Sequence, residues 1–222
     1  MLEWERKAFL DGYSVIIGVD EAGRGPLAGP VVAGAVVLNR SPLTVFRIRR
    51  YKERIDDSKK LRPRQREKAF KEISAQAVFG IGIKSNKYID KKNIHRATLA
   101  AMEQAVKKAV KGFCITSDKK EKDIVSGICI LVDGVFGGFS PYKTIPIIKG
   151  DSKSLSIAAA SIAAKVTRDT IMLGYDKKYP GYGFSKHKGY GTKLHLEAIE
   201  RYGPCPIHRK SFAPIKYDIR ED

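Results

Sequence analysis

No stretch of this chain approaches the roughly 20 consecutive apolar residues that a helix needs to cross a bilayer. Cysteine is scarce too: Cys114, Cys129 and Cys205 are far apart and odd in number, which excludes a disulfide framework and argues against a zinc ribbon. The opening Met1-Leu-Glu-Trp-Glu-Arg-Lys7 lacks the basic start and apolar middle of a secretory signal, so a reducing cytoplasm is the expected location. Internal repeats and low-complexity tracts are missing as well. Negative charge is thin: 24 Asp and Glu stand against 42 Lys and Arg, a formal net charge of +18. A polyanion fits that balance best, since each phosphate contact releases condensed counterions. At 222 residues the chain holds one full core with a small appendage, and a basic monomer is the simplest expectation.

The few acids are not scattered evenly. Asp20-Glu21 stands directly behind the apolar run Ser14–Val19, whose β-branched residues predict a buried strand over Val15–Asp20. Adjacent carboxylates beside a core need a partner, and a divalent cation is the usual one. The following Ala-Gly-Arg-Gly-Pro26 lets backbone approach a ligand closely. Further strands are predicted at Val31–Leu38, Ala77–Lys84, Ile128–Asp133 and Thr144–Ile148. Helices are predicted over Pro63–Ala75, Asn93–Val110, Ser154–Tyr175 and Thr192–Arg201, with a charged surface loop at 116–124. The stripe Leu99, Met102, Ala105, Val106, Ala109 and Val110 has helical spacing and reads as core. The small residues of Ile157–Lys165 suit a helix lying close on a sheet. The order predicts an α/β layer with a mixed sheet.

Asp133 ends its predicted strand, and Asp151 follows the last one. Strand ends are where an α/β sheet presents ligands. Adjacent parallel strands lie about 5 Å apart, so Asp20, Glu21, Asp133 and Asp151 are expected to converge. Cations must offset their repulsion. Two Mg²⁺ or Mn²⁺ ions, about 3.5–4 Å apart, would also clamp the attacking and leaving oxygens of a phosphodiester. Oxygen-only ligands favour magnesium or manganese over zinc.

Seven segments in order carry a resemblance that spans nearly the whole chain. They are Asp20-Glu-Ala-Gly-Arg-Gly-Pro26, Asp57-Ser-Lys-Lys-Leu61, Val132-Asp-Gly134, Lys149-Gly-Asp151, Ser156–Asp169, Tyr182–Thr192 with its His187-Lys-Gly-Tyr-Gly-Thr192, and Gly203-Pro with His208-Arg209. Together they resemble bacterial type 2 ribonuclease H, ribonuclease HII. The resemblance implies an RNase H-like α/β fold, a mixed central sheet flanked by helices, with a catalytic domain over 1–178 and a small helical substrate-binding extension over 179–222. It implies cleavage of the RNA strand of RNA–DNA hybrids and of duplex DNA carrying a single embedded ribonucleotide. It assigns Asp20, Glu21, Asp133 and Asp151 as the catalytic metal ligands. It assigns Gly23, Arg24 and Gly25 to reading the ribonucleotide and Tyr190 to sensing the RNA-to-DNA junction. The residue types suit those tasks: a glycine loop lets backbone reach a 2′-hydroxyl, and a tyrosine ring packs on the next sugar.

Lys59 and Lys60 are expected to touch phosphates. For Lys149 and Arg168, phosphate contact and a structural role are equally open, and Asp169 reads as an ordinary ion-pair partner. His187 and His208 face the same choice between substrate backbone and structure. Cys205 replaces the serine more usual in the family. The segment with Arg47, Arg49, Arg50, Lys52 and Arg54 adds basic charge suited to nonspecific affinity. Two rivals remain. A recombinase of the same fold would cut all-DNA strands and lack the Gly-Arg-Gly loop, and an RNA-binding protein would have no use for four acids facing phosphates.

Overall fold

The computed structural model describes residues 1–38 and 51–215, so Arg47, Arg49 and Arg50 lie outside the described residues. Its centre is a five-stranded mixed sheet. The strands are β1 (Val15–Ala22), β2 (Val31–Val37), β3 (Val78–Lys84), β4 (Ile128–Asp133) and β5 (Lys143–Ile147). Their order across the sheet is β3-β2-β1-β4-β5. β1 pairs antiparallel with β2 and parallel with β4, and β5 continues parallel beyond β4. The central strands are buried on both faces, which is why their sequences are continuous runs of Val, Ile and Ala and do not alternate with polar residues.

One face is covered by α4 (Ile94–Ser117), whose buried stripe includes Met102, Ala105, Val106, Ala109 and Val110 as its spacing predicts. The other face is covered by α6 (Leu155–Lys178), with α2 (Pro63–Gln76) packed outside it and α1 (Glu3–Leu10) beside β4. α6 lies almost on the sheet. A Cβ added to Gly18 of β1 would stand 2.0 Å from the Ser156 carbonyl carbon, so only glycine under small residues permits the contact. That approach carries the N-terminal end of α6 to the acid-bearing end of β1.

The structure corrects several boundaries. β1 runs on past the predicted end at Asp20 to Ala22, so Glu21 also belongs to the strand; Asp20 and Glu21 stand opposite Gly34 and Ala33 of β2. α4 extends to Ser117 because apolar residues as far as Phe113 still reach the core, which shortens the expected loop at 116–124; Glu121–Ile124 forms a further helical turn, α5. A short helix, α3 (Asn86–Lys92), precedes α4; its single buried apolar residue, Ile89, left little periodic signal. The C-terminal part contains α7 (Phe184–His187) and α8 (Lys193–Tyr202).

Candidate active site

Register alone brings two of the acids together. β1 and β4 pair up to Val19 opposite Val132, and one step further Asp20 and Asp133 lie side by side. Val19 and Val132 belong to the core under α4, so alternation turns Asp20 and Asp133 toward α6. There the Ser161 hydroxyl of α6 lowers the Asp20 carboxyl's proton affinity a little, and Ser161 shares a 2.8 Å hydrogen bond with Ser58. The Glu21 N–H donates to Asp20 Oδ1 at 2.7 Å. Glu21 points the other way, where Arg24 Nη1 donates to its Oε1 at 3.3 Å. The Arg24 guanidinium also stands over the Phe136 ring, 5.2 Å from its centroid.

Asp151 follows the last strand, as its place in the sequence predicts. It lies past the end of β5, in a 3₁₀ turn over Gly150–Ser152. Asp133 Oδ1 accepts the Gly150 N–H at 2.6 Å, which ties that turn to the end of β4. Behind it, Glu5 Oε1 accepts hydrogen bonds from the Ser154 hydroxyl and from the Ser156 N–H and hydroxyl, fixing the start of α6. Lys59 Nζ stands 3.9 Å from Asp151 Oδ2. Lys60 turns instead to Asp56, 3.3 Å away.

The acids repel one another. Burial pushes the Asp20 carboxyl well above its usual range, and the neighbouring Glu21 and Asp133 charges push it further. Burial raises Glu21 as well, with Arg24 opposing and Asp133 adding. Asp151 is raised by burial, then by Asp57 and Asp133, with Lys59 opposing. Asp57 is thus a fifth acid at the site. The sequence offered it at the head of Asp57-Ser-Lys-Lys-Leu61, but no strand end marked it. Glu21 Oε2 is buried with no hydrogen-bond partner. The other such atom among the described residues, Glu5 Oε2, belongs to a carboxylate whose second oxygen is fully used. Among the described residues, no three His, Cys, Asp or Glu side chains already form a finished cage for a metal ion. Asp133 and Glu21 are instead spoken for by Gly150 and Arg24. An orphaned anionic oxygen among like charges, with oxygen donors only, nevertheless suits a hard divalent cation.

The loop Gly23–Pro30 continues from this edge. Arg24 and Gly25 are exposed, and a Cβ on Gly25 would lie 3.9 Å from Tyr190 Cε1. Tyr190 is itself 44% exposed, which leaves its ring free beside the loop. Arg168 is not a surface cation. It is fully buried and donates to the carbonyls of Pro30, Lys188 and Ala28. Asp169 pairs with Lys165 and Arg66, as an ordinary ion-pair partner.

His187, His195 and His208 are internal too. Tyr190 O can only accept, so the neutral His195 ring carries its proton on Nδ1. His195 Nε2 then accepts from His208 Nε2 at 3.0 Å, and His208 Nδ1 accepts the Cys205 N–H at 2.8 Å. His187 donates to Tyr182 O and accepts from Gly189 N–H. Burial, with the like-charged His187 and His208 rings nearby, pushes His195 down to about 4. These rings build the segment that presents Tyr190, and do not face solvent.

A family model described as ribonuclease HII matches residues 17–215, and so runs through all four acids, the Gly-Arg-Gly loop and Tyr190. The chain belongs to the ribonuclease HII family. A ribonuclease HII from Ruminiclostridium cellulolyticum is 53% identical over 96% of this chain and 75% of its own. One from Chlamydia muridarum is 47% identical over 98% and 91%. Among solved structures, ribonuclease H2 from Pyrococcus horikoshii superposes with a TM-score of 0.62 at 27% identity, covering 91% of this chain and 96% of its own. The manganese complex of Bst ribonuclease HIII, at 18% identity and a TM-score of 0.64 over 94% and 70%, shares the fold. The ribonuclease HII chain described here is therefore a divalent-metal-dependent endoribonuclease acting on RNA–DNA hybrids. None of its helices among the described residues is long and apolar enough to cross a membrane.

Proposed function

We propose that this ribonuclease HII cuts the RNA strand of hybrids and the 5′ side of single ribonucleotides embedded in duplex DNA, leaving 5′-phosphate and 3′-hydroxyl ends. Asp20, Glu21, Asp133 and Asp151 would hold two Mg²⁺ or Mn²⁺ ions. When bound, such a pair activates a water and stabilises the leaving 3′ oxygen. Asp20 and Asp133, side by side at the ends of β1 and β4, hold the reacting phosphate's edge of the sheet at fixed spacing. Asp151 and Glu21 close the cluster from either side. Lys59 offers charge to a phosphate next to Asp151, whereas Lys60 is held by Asp56 and contributes mainly to the general positive field.

Gly23, Arg24 and Gly25 read the ribose, and Tyr190 packs on the following sugar, where a 2′-hydroxyl or its absence marks the junction. In this reading the protein works as a monomer in the cytoplasm, and residues 179–222 are a substrate-binding extension of the catalytic domain at 1–178. The observation that carries the reading is the buried, partnerless Glu21 Oε2 among carboxylates of raised proton affinity, within one loop's length of Tyr190. Duplex DNA with one ribonucleotide, incubated with Mg²⁺ or Mn²⁺, tests it. A cut 5′ to the ribonucleotide is expected. Equal cutting of plain DNA, or binding without cutting, would overturn it.

A further inference from the structure

Arg209 comes from the far C-terminal segment, 185 residues beyond Arg24, yet its whole guanidinium is spent on the Gly23–Pro30 loop. Nη1 donates to Arg24 O at 2.8 Å and Nη2 to Gly23 O at 2.5 Å. Nε donates to Gly29 O at 3.0 Å, and Nη2 also to Pro30 O at 3.2 Å. The side chain is fully buried, and no carboxylate pairs with it among the described residues. A buried cation without an anion is costly, so its hydrogen bonds must be well made to persist.

Those bonds dictate how the loop faces outward. In a trans peptide the C=O and the N–H of the same plane point in opposite directions. Gly23 O and Arg24 O are turned inward to the buried Arg209, so the N–H groups of Arg24 and Gly25 are turned outward. Both residues are exposed, and among the described residues neither N–H donates to a protein acceptor. A planar fork is what allows one side chain to hold adjacent carbonyls in this way.

We propose that Arg209 is a positioning residue for ribose recognition: its fork orients two successive peptides of the Gly-Arg-Gly loop so that the N–H groups of Arg24 and Gly25 form a paired donor for an acceptor oxygen of the substrate. This rests on the nuclease reading above and assigns the device that sets the loop's polarity. The acceptor is either the 2′-hydroxyl or an adjoining phosphate oxygen, which offer the same chemistry to two amides.

Two measurements decide it. Arg209→Lys keeps the charge but lacks the planar fork. Its ratio of cleavage at an embedded ribonucleotide to cleavage of the matching all-DNA duplex should fall by roughly tenfold where the 2′-hydroxyl is the acceptor, and its KM should rise by roughly tenfold at an unchanged ratio where a phosphate oxygen is, the worth of one charge-assisted hydrogen bond. A folded Arg209→Lys protein with an unchanged ratio and KM overturns the proposal; a wild-type protein that shows no preference for the ribonucleotide overturns the nuclease reading instead. Should the variant not fold, the wild type answers alone: with EDTA present to prevent cutting, the Arg24 and Gly25 amide resonances should shift on adding duplex. Shifts with the ribonucleotide duplex only identify the 2′-hydroxyl as acceptor, equal shifts with all-DNA duplex identify a phosphate oxygen, and no shift with either overturns the proposal.

Discussion

Asp20, Glu21, Asp133 and Asp151 crowd one edge of the sheet, while Arg168 and Arg209 lie buried beneath the loop that begins at that edge. Each group concentrates charge of one sign in a poorly solvated place, yet the outcomes differ. The guanidiniums find seven hydrogen bonds, all to main-chain carbonyls, and need nothing from outside. Asp20, Glu21 and Asp151 are left with raised proton affinities, and Glu21 with one empty oxygen. The cationic pair is complete as protein; the anionic set is complete only with a cation supplied to it.

That contrast is broken most directly at Asp20. Asp20→Asn should reduce cleavage by roughly a thousandfold or more, the scale of several kcal/mol of lost charge stabilisation, while substrate binding holds or tightens. In EDTA the same variant should unfold at a higher temperature than wild type, by about 1 kcal/mol of relieved repulsion. Retained cleavage, or a loss of metal-free stability, would remove Asp20 from a metal-seeking cluster.

Crowding the cationic side should do the reverse. A Cβ on Gly23 would stand 2.0 Å from Arg168 Nε, and Gly23 has φ of +95°. Gly23→Ala should therefore cost about 3 kcal/mol in urea unfolding. A neutral result would mean that Arg168 is not locked in place.

Acid should attack the loop's supports before its core. His195 is held neutral with a folded pKa of about 4 against an ordinary 6.5. Unfolded chains therefore bind the proton first, so this stabilisation is full above pH 6.5 and declines as pH falls toward 4. The whole loss is of order 3 kcal/mol. The His195 ring proton resonances should report a neutral imidazole at pH 5.5, and an imidazolium there would refute the buried hydrogen-bond chain.

The smallest effects belong to Tyr190. Tyr190→Ala should slow cleavage at a single ribonucleotide by about tenfold through lost ring packing, and Tyr190→Phe by about threefold through one lost hydrogen bond. Equal, negligible changes in both would exclude the ring from the substrate path.

Much of this was legible without coordinates, for identifiable reasons. β1 and β4 announce themselves because strands buried on both faces are unbroken β-branched runs, and Asp20 and Asp133 follow from where those runs stop. α6 declares its closeness to the sheet in Ala158-Ala-Ala-Ser-Ile-Ala-Ala164. Illegible were the roles that depend on distant pairings. Arg168 stands open between phosphate contact and structure, and Arg209 shows only as part of a motif, because nothing local shows that carbonyls of the Gly23–Pro30 loop will surround them. Asp57 carried no strand-end signal, and the histidines took meaning only from one another. Asp151 is found from its place after the last strand, but the 3₁₀ turn that holds it rests on the bond between Asp133 and Gly150, which nothing local announces.

A crystal soaked in Mn²⁺ and measured for anomalous scattering tests the central claim most directly. The account predicts manganese peaks ligated by Asp20, Glu21, Asp133 and Asp151, with Glu21 Oε2 no longer without a partner. A saturated soak that leaves those carboxylates apart, with no peak among them, would contradict it.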